Sequence, residues 1–402
     1  MSEDQPKAPP PKGEPTHFAY IDAVRGIAFL SVIAFHSVFS VGNFPGRELI
    51  TAGTNGVQLF FLASAITLCY SMSARSKRDA YPTLYFYLRR LFRIAPLFWA
   101  AMAFYWIFPG VMPAFWLGQW APLGVHPAYF VLTALFLHGW HPYTFNSIVP
   151  GGWSIAVEMN FYVLFPLLFH LLGRSVRRST VAVLLAIVYL AMLGRALPWL
   201  HHLFFPSVPN GDQWLFFEEY WFPAQLPVFL IGFLTYRLTR IETVKALMRT
   251  RFWAGCLLAA SLMVMLTRSA MRSGGIAPHI VVIFGLAGAV LSISGGSLNW
   301  LVNPAIRYIG KISYSCYLVH FAALGVTLKL LGIHLTAETG YASTGHSLGN
   351  LYLFFKILAI ALTLTVIIAT ITLHTIENPG IALGRRLLSK ITAFRERQSV
   401  RA

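Results

Sequence analysis

Arg25 and His36 lie in one apolar stretch, IDAVRGIAFLSVIAFHSVF, whose intervening residues are almost all apolar. Such a stretch predicts a membrane-spanning helix. An ionisable group inside one is unfavourable by about a few kcal/mol or more, so such groups mark functional sites. Eleven residues at ~100° per step return His36 to within about 20° of the Arg25 face, and ~1.5 Å per residue sets the two roughly 16 Å apart. A cation near one surface and a titratable imidazole deep on the same face predict a polar cavity entering the membrane. The plain alternative is an arginine snorkelling to the interface and a histidine satisfied by a neighbouring helix.

Glu158 supplies a second ionisable group, in PGGWSIAVEMNFYVLFPLLFHLL. A carboxylate in an apolar span must be paired, hydrogen-bonded or protonated. Glu158 and His36 each lie about 14 residues, or ~21 Å, from the cytoplasmic ends of their spans. Equal depth permits contact. A carboxylate accepting from one imidazole nitrogen makes the other more basic, which is a general-base arrangement, although a purely structural buried pair would read the same way.

Three further groups could carry chemistry. Arg89, Arg90 and Arg93, in YLRRLFRIAPLFW, bring planar forks suited to phosphate oxygens to the inner end of a span; positive-inside anchoring is the ordinary alternative. His320, in GKISYSCYLVHF, sits about nine residues into its span, as a packing histidine or a catalytic one. Arg307 and Lys311 either extend the basic mouth or anchor that helix. Glu377 precedes Asn378 and Pro379; helix termination explains the proline, and nothing in the pattern demands the glutamate. There is no Walker loop, Rossmann glycine pattern or GxSxG elbow, which argues against an ATP-driven pump but leaves a secondary transporter open.

The elements that position these groups can be read from composition. Of 402 residues, 56% are hydrophobic and only 11% charged, against about 25% in soluble domains, and the mean hydropathy is +0.62. The chain is therefore expected to be an all-α polytopic membrane protein. Its net charge of +17 gathers in short clusters between apolar runs, as in cytoplasmic loops rather than a nucleic-acid-binding face. Cys69, Cys256 and Cys316 lie in apolar runs without disulfide or zinc-ligand spacing, so no metal is expected.

Apolar windows of roughly 17–25 residues fall near 22–42, 54–73, 92–111, 153–172, 180–199, 219–238, 252–268, 277–294, 311–332 and 351–375. A piece near 128–140, flanked by Pro127 and Pro142, is too short to cross and reads as re-entrant or interfacial. About ten spans with both termini cytoplasmic are expected, with Arg47, Arg268 and Arg272 on the wrong side for the charge rule. Residues 1–19 are expected to be a disordered cytoplasmic tail without a signal peptide, 20–380 the membrane domain, and 381–402 a basic cytoplasmic tail. Trp120, Trp140, Trp153, Trp214 and Trp221 fit interfacial belts, and the outer ones could also stack on sugars.

These segments together resemble the integral-membrane acyltransferase-3 family, which includes bacterial O-antigen and exopolysaccharide O-acetyltransferases. IDAVRGIAFLSVIAFH is similar to its opening LDxLRGIAxxxVxxFH, and FFLASAITL to FFxLSGFL with Ala65 in place of the usual glycine. RRLFRIAPLFW resembles RxxRxxP through Arg90, Arg93 and Pro96. WSIAVEMNFYVLFPLL resembles WSLxVExxFYLLxPLL through Glu158, GKISYSCYLVHF resembles GxxSYxxYLxH through His320, and IENPG resembles the closing E-xP element. The likeness runs from about Tyr20 to Pro379, with the motifs in family order, and the chain resembles the stand-alone form.

The resemblance implies transfer of an acyl group, commonly acetyl, from coenzyme A to a hydroxyl of a carbohydrate. Acetyl-CoA would enter from the cytoplasm of a bacterial inner membrane, its phosphates on Arg90 and Arg93, with Arg89 and Arg25 nearby. Glu158 would orient His36 as general base, or His36 would itself be transiently acylated. His320, Asn160 and Trp153, which lie in these motifs, are expected to contact substrate. The competing reading is a proton-coupled transporter or flippase that uses Arg25, His36 and Glu158 as its proton path.

Overall fold

A backbone crossing lipid finds no water to bond with, so apolar runs close their hydrogen bonds within themselves as helices. The computed structural model describes residues 16–76, 78–111, 125–270, 276–333, 335 and 341–401, and these are helical apart from turns and an isolated parallel bridge between Val41 and Ala342. Most of the N-terminal tail, Trp120, Arg272 and the Arg268 side chain fall outside the described residues.

The first half comprises α1 (Thr16–Val38), α2 (Gly56–Arg75), α3 (Pro82–Ile107), α4 (Pro127–Ala134), α5 (Gly152–Leu172), α6 (Val176–Phe204), α7 (Asp212–Tyr220) and α8 (Phe222–Leu238). The second half comprises α9 (Glu242–Met248), α10 (Arg251–Ala270), α11 (Ile276–Ser294), α12 (Pro304–Lys311), α13 (Ser313–Leu330), α14 (Ser347–Thr372) and α15 (Asn378–Arg401). Local chemistry starts several of them. Ser175 and Asn303 cap α6 and α12 through their side-chain oxygens, and proline opens α3, α4 and α12.

Five helical runs are long and apolar enough to cross a membrane: Ala19–Val38, Arg47–Arg75, Gly152–Leu172, Val176–Phe204 and Ser347–Phe394. The number rises to seven when each bent pair, Glu242–Met248 with Arg251–Leu266 and Pro304–Lys311 with Ser313–Leu330, is one span. Sequence windows predicted ten, and each window overlaps a helix. The difference has physical causes: α3 carries Arg89, Arg90 and Arg93, α8 has 17 residues, and the pair α12–α13 bends by 82°. The piece expected to be too short to cross is indeed one short helix, α4, with a single turn at His138–Trp140 after it.

α1 is the hub, packing on α2, α12, α13 and α14. Its crossing with α12 is reciprocal and close. A Cβ on Gly26 would collide with the Ile306 carbonyl oxygen, and one on Gly310 with that of Asp22. Small residues at such crossings let backbones approach, and this one fixes the height and rotation of Arg25. Gly232 of α8 likewise lies against the Ala65 methyl of α2, and Gly380 and Gly384 of α15 lie against Pro96 and Phe92 of α3.

Arg47, on the wrong side by the charge rule, has a local job. Its guanidinium donates to the carbonyls of Val38 (2.8 Å), Gly42 (3.3 Å) and Val41, closing the open end of α1. The segment before α14 clamps the same end: Gly42 N–H donates to Ala342 O (2.8 Å) and Asn350 Nδ2 to Asn43 O (3.0 Å).

Overpacking a tight site is unfavourable by about 1–3 kcal/mol. Gly26→Ala and Gly310→Ala are therefore expected to lower the thermal unfolding midpoint of the detergent-purified protein. Gly255→Ala, with open space at its Cβ position, should leave it unchanged or raise it slightly.

Candidate active site

Arg25 of α1, Ser64 of α2, Arg90 and Arg93 of α3, Glu158 and Tyr162 of α5, and Tyr314 and Tyr317 of α13 line one cavity of about 70 Å³. The Glu158 carboxylate accepts hydrogen bonds from Ser64 Oγ (2.6 Å) and Tyr162 OH (2.5 Å), both to Oε1. Tyr162 comes four residues after Glu158, so one helical face carries both. Arg90 lies over the Tyr162 ring (5.8 Å) and the Phe86 ring (5.9 Å), and its buried Nε has no hydrogen-bond partner. Arg25 is within electrostatic reach of Arg93, Glu158 and Asp22.

Arg93 meets a second carboxylate, Glu377 Oε1, at 3.6 Å, and Ser315 Oγ donates to Glu377 Oε2 (2.9 Å). Glu377 is only 2% exposed. It ends a π-helical turn, Leu373–Glu377, between α14 and α15. A π turn inserts an extra residue and rotates the next helical segment about its axis, which is how an otherwise continuous helix turns a glutamate inward. The cavity therefore sets three guanidinium groups against one carboxylate, Glu158, with Glu377 meeting Arg93 outside the lining. Such a site favours an anion with several acceptor oxygens.

His36 lies further along α1, beyond the cavity wall. Its ring centroid is 5.3 Å from that of His320, with Phe321 at 4.4 Å and Phe35 at 5.1 Å. Tyr317 stands between the two regions, lining the cavity while its ring centroid sits 5.5 Å from His320. Its hydroxyl accepts from Ser154 Oγ (2.9 Å) and donates to Gly151 O (3.1 Å). Gly151 has φ +75°, a conformation suited to glycine, and a Cβ there would strike the Tyr317 hydroxyl. His320 is fully buried; its Nδ1 lies 2.6 Å from Tyr317 O, and its Nε2 has no partner.

Sequence spacing located most of the charged groups but mispaired them. No hydrogen bond joins His36 to Glu158; the carboxylate is taken by Ser64 and Tyr162, and the imidazole faces His320 instead. Residue counts placed Glu158 and His36 at equal depth, whereas Glu158 lines the cavity beside Arg25 and His36 lies beyond it. The polar stripe from Arg25 to His36 is likewise interrupted at Tyr317.

Arg89 points away from the cavity, with both terminal nitrogens donating to Asp79 Oδ2 (2.7 Å). Asn160 donates to Ala156 O (2.8 Å) and accepts from Trp140 Nε1 (3.2 Å). Trp153 is 5% exposed, packed among Phe61, Phe145 and Tyr220. Trp214 is buried against His201 rather than offered to a sugar.

Ser64, Tyr162, Tyr314 and Tyr317 complete the site and were not singled out from sequence; Glu377 was noted there without a role. The i, i+4 spacing of Glu158 and Tyr162 was a usable signal. For Glu377 helical periodicity gave none, because a π turn leaves no periodic mark; its signal was the resemblance of IENPG to the closing E-xP element.

Hydrogen bonds to a charged group contribute about 1.5–3 kcal/mol each. Tyr162→Phe and Ser64→Ala are each expected to destabilise the protein by that order in thermal unfolding. Thr363→Val, which removes an exposed hydroxyl bonded within its own helix, should stay within about 0.5 kcal/mol of the parent.

A family model described as an acyltransferase domain matches residues 18–370. The acyltransferase MdmB of Streptomyces mycarofaciens is 27% identical over 392 residues, covering 91% of this chain and 92% of its own. No solved structure matches. The match spans α1 to α14 and takes in the cavity arginines, Glu158 and both histidines, with Glu377 just beyond its end. With its several apolar helices, the chain belongs to the acyltransferase family as a multi-pass membrane enzyme that transfers acyl groups.

Proposed function

We propose that this enzyme moves an acyl group, acetyl foremost, from cytoplasmic acyl-CoA to a hydroxyl of a cell-surface or exported carbohydrate. The carrying observation is the convergence of Arg25, Arg90 and Arg93 on one cavity inside the helix bundle. A cluster of guanidinium forks is unfavourable there unless it meets an anion, and coenzyme A brings phosphates. Acetyl as the group and carbohydrate as the acceptor rest on the motif resemblance. In this reading the domain, 20–380, crosses a bacterial inner membrane ten times with both tails cytoplasmic. Family membership removes the support for a transporter.

Arg90 and Arg93 hold the donor phosphates, with Arg25 across the cavity. Glu158 and Glu377 keep the arginines in place and limit their mutual repulsion. The cavity is small beside the about 300–1,000 Å³ typical of ligand pockets, so the pantetheine arm must displace side chains, Tyr317 first, to reach His36. His36 takes the proton of the acceptor hydroxyl as its oxygen attacks the thioester carbonyl.

Purified protein in nanodiscs, given acetyl-CoA and candidate glycans, tests this through release of free thiol. Release is expected to depend on acceptor. His36→Ala should lower kcat by about 10²–10⁴-fold while the protein still folds and inserts. Arg90→Ala and Arg93→Ala should instead raise KM for acetyl-CoA about tenfold or more. Wild-type turnover in His36→Ala, or unchanged KM in both arginine variants, would sink the assignment.

A further inference from the structure

The sequence offered Glu158 as the partner of His36, and the structure leaves that place to another group. His320 Nδ1 lies 2.6 Å from the Tyr317 carbonyl oxygen. A carbonyl only accepts, so Nδ1 carries the proton; in a neutral imidazole Nε2 is then a lone-pair acceptor. That nitrogen is fully buried and has no hydrogen-bond partner among the described residues. An unmet buried acceptor is unfavourable, and such groups in a native protein call for a role.

Its surroundings narrow the choice of donor. The His320 ring is enclosed by Phe29 (6.1 Å), Tyr317 (5.5 Å) and Phe321 (4.1 Å). Phe29 and Phe321 have no polar hydrogen, and the Tyr317 hydroxyl is committed to Gly151 O. The remaining ring neighbour is His36, at 5.3 Å between centroids and a 38° tilt. At that separation, turning the His36 ring so that an N–H faces His320 Nε2, with Nδ1 kept on Tyr317 O, can bring the two nitrogens to hydrogen-bond distance.

We infer that His320 is the positioning residue of the transfer site: its Nε2 accepts the His36 N–H and thereby leaves the other His36 nitrogen as the lone pair that takes the acceptor proton. This rests on the functional reading above. Tyr317 O fixes the tautomer of His320, and His320 fixes that of His36, so a neutral relay replaces the expected carboxylate. In the transfer step the hydroxyl oxygen bonds to the acyl carbon and the C–S bond breaks. The hydroxyl proton passes to His36 and from there to the leaving thiolate of coenzyme A, which departs as free thiol. His320 exchanges no proton; it holds the ring.

The test is a double-mutant cycle on thiol release from acetyl-CoA. His320→Phe keeps an aromatic ring in the aromatic pocket but removes the acceptor; His320→Gln restores an acceptor oxygen. His320→Phe is expected to lower kcat about 100-fold with KM for acetyl-CoA unchanged within about twofold. His320→Gln should recover about tenfold of that loss. The variant carrying both His36→Ala and His320→Phe should be no slower than His36→Ala alone, because one residue acts through the other.

Additive losses, a change confined to KM, equal losses in the two His320 variants, or wild-type kcat in His320→Phe each overturn the inference. If His320→Phe does not fold, the cycle of His320→Gln with His36→Ala reads the same coupling. A dead His36→Ala beside a fully active His320→Phe counts against this inference alone. A wild-type protein that releases no thiol with any acceptor, and binds no acetyl-CoA, overturns the functional reading and this inference together.

Discussion

Everything in this bundle depends on keeping Arg25, Arg90 and Arg93 charged among apolar helices. Desolvating a guanidinium is expensive, and removing one partner from a buried ion pair is unfavourable by about 3–5 kcal/mol. The protein answers with two carboxylates drawn from distant parts of the chain, each held by hydroxyl donors. Glu158 is held by Ser64 and Tyr162, and Glu377 by Ser315. The carboxylates thus bind together α2 and α5 at Glu158, and α3, α13 and the π turn after α14 at Glu377. The Arg90 Nε has no hydrogen-bond partner among the described residues, and in the proposed reading an anionic donor meets it.

Backbone geometry serves the same end. The crossing of α1 and α12 is so close that neither Gly26 nor Gly310 tolerates a Cβ, and Arg25 adjoins that contact. Arg47 and the segment around Asn350 pin the other end of α1. With both ends fixed, the Arg25-to-His36 stretch becomes a rigid ruler of ~16 Å, about half the ~30 Å hydrocarbon thickness. Tyr317 divides that ruler into a charged compartment and an aromatic one. The first suits phosphates, and the second suits a neutral thioester.

Much of this was legible in the sequence, and the limits have a physical shape. Apolar windows revealed the helices, and the high energy of a charge in a membrane singled out Arg25, His36, Glu158, Arg90 and Arg93. Residue counting gave depth along each helix. It gave neither rotation about the axis nor the offset between helices, so Glu158 lines the arginine cavity while His36 lies beyond its wall against His320. Arg89 illustrates the same limit: one residue from Arg90, it turns instead to Asp79. Glu377 was visible as a residue, but its facing was unreadable because a π turn changes the facing of a residue without changing composition. Five to seven of the helical runs are long and apolar enough to cross by themselves; arginines in α3, the short α8 and the 82° bend set other windows apart.

The central claim is that one donor molecule occupies both compartments, phosphates with the arginines and acyl end at His36. Cryo-electron microscopy of the protein bound to a non-transferable ketone analogue of acetyl-CoA tests it most directly. The account predicts phosphate density within hydrogen-bond distance of Arg90 and Arg93, Tyr317 displaced, and the ketone carbonyl against the His36 ring. Phosphate density away from those arginines, or an acyl end directed elsewhere while Tyr317 keeps its place, would contradict it.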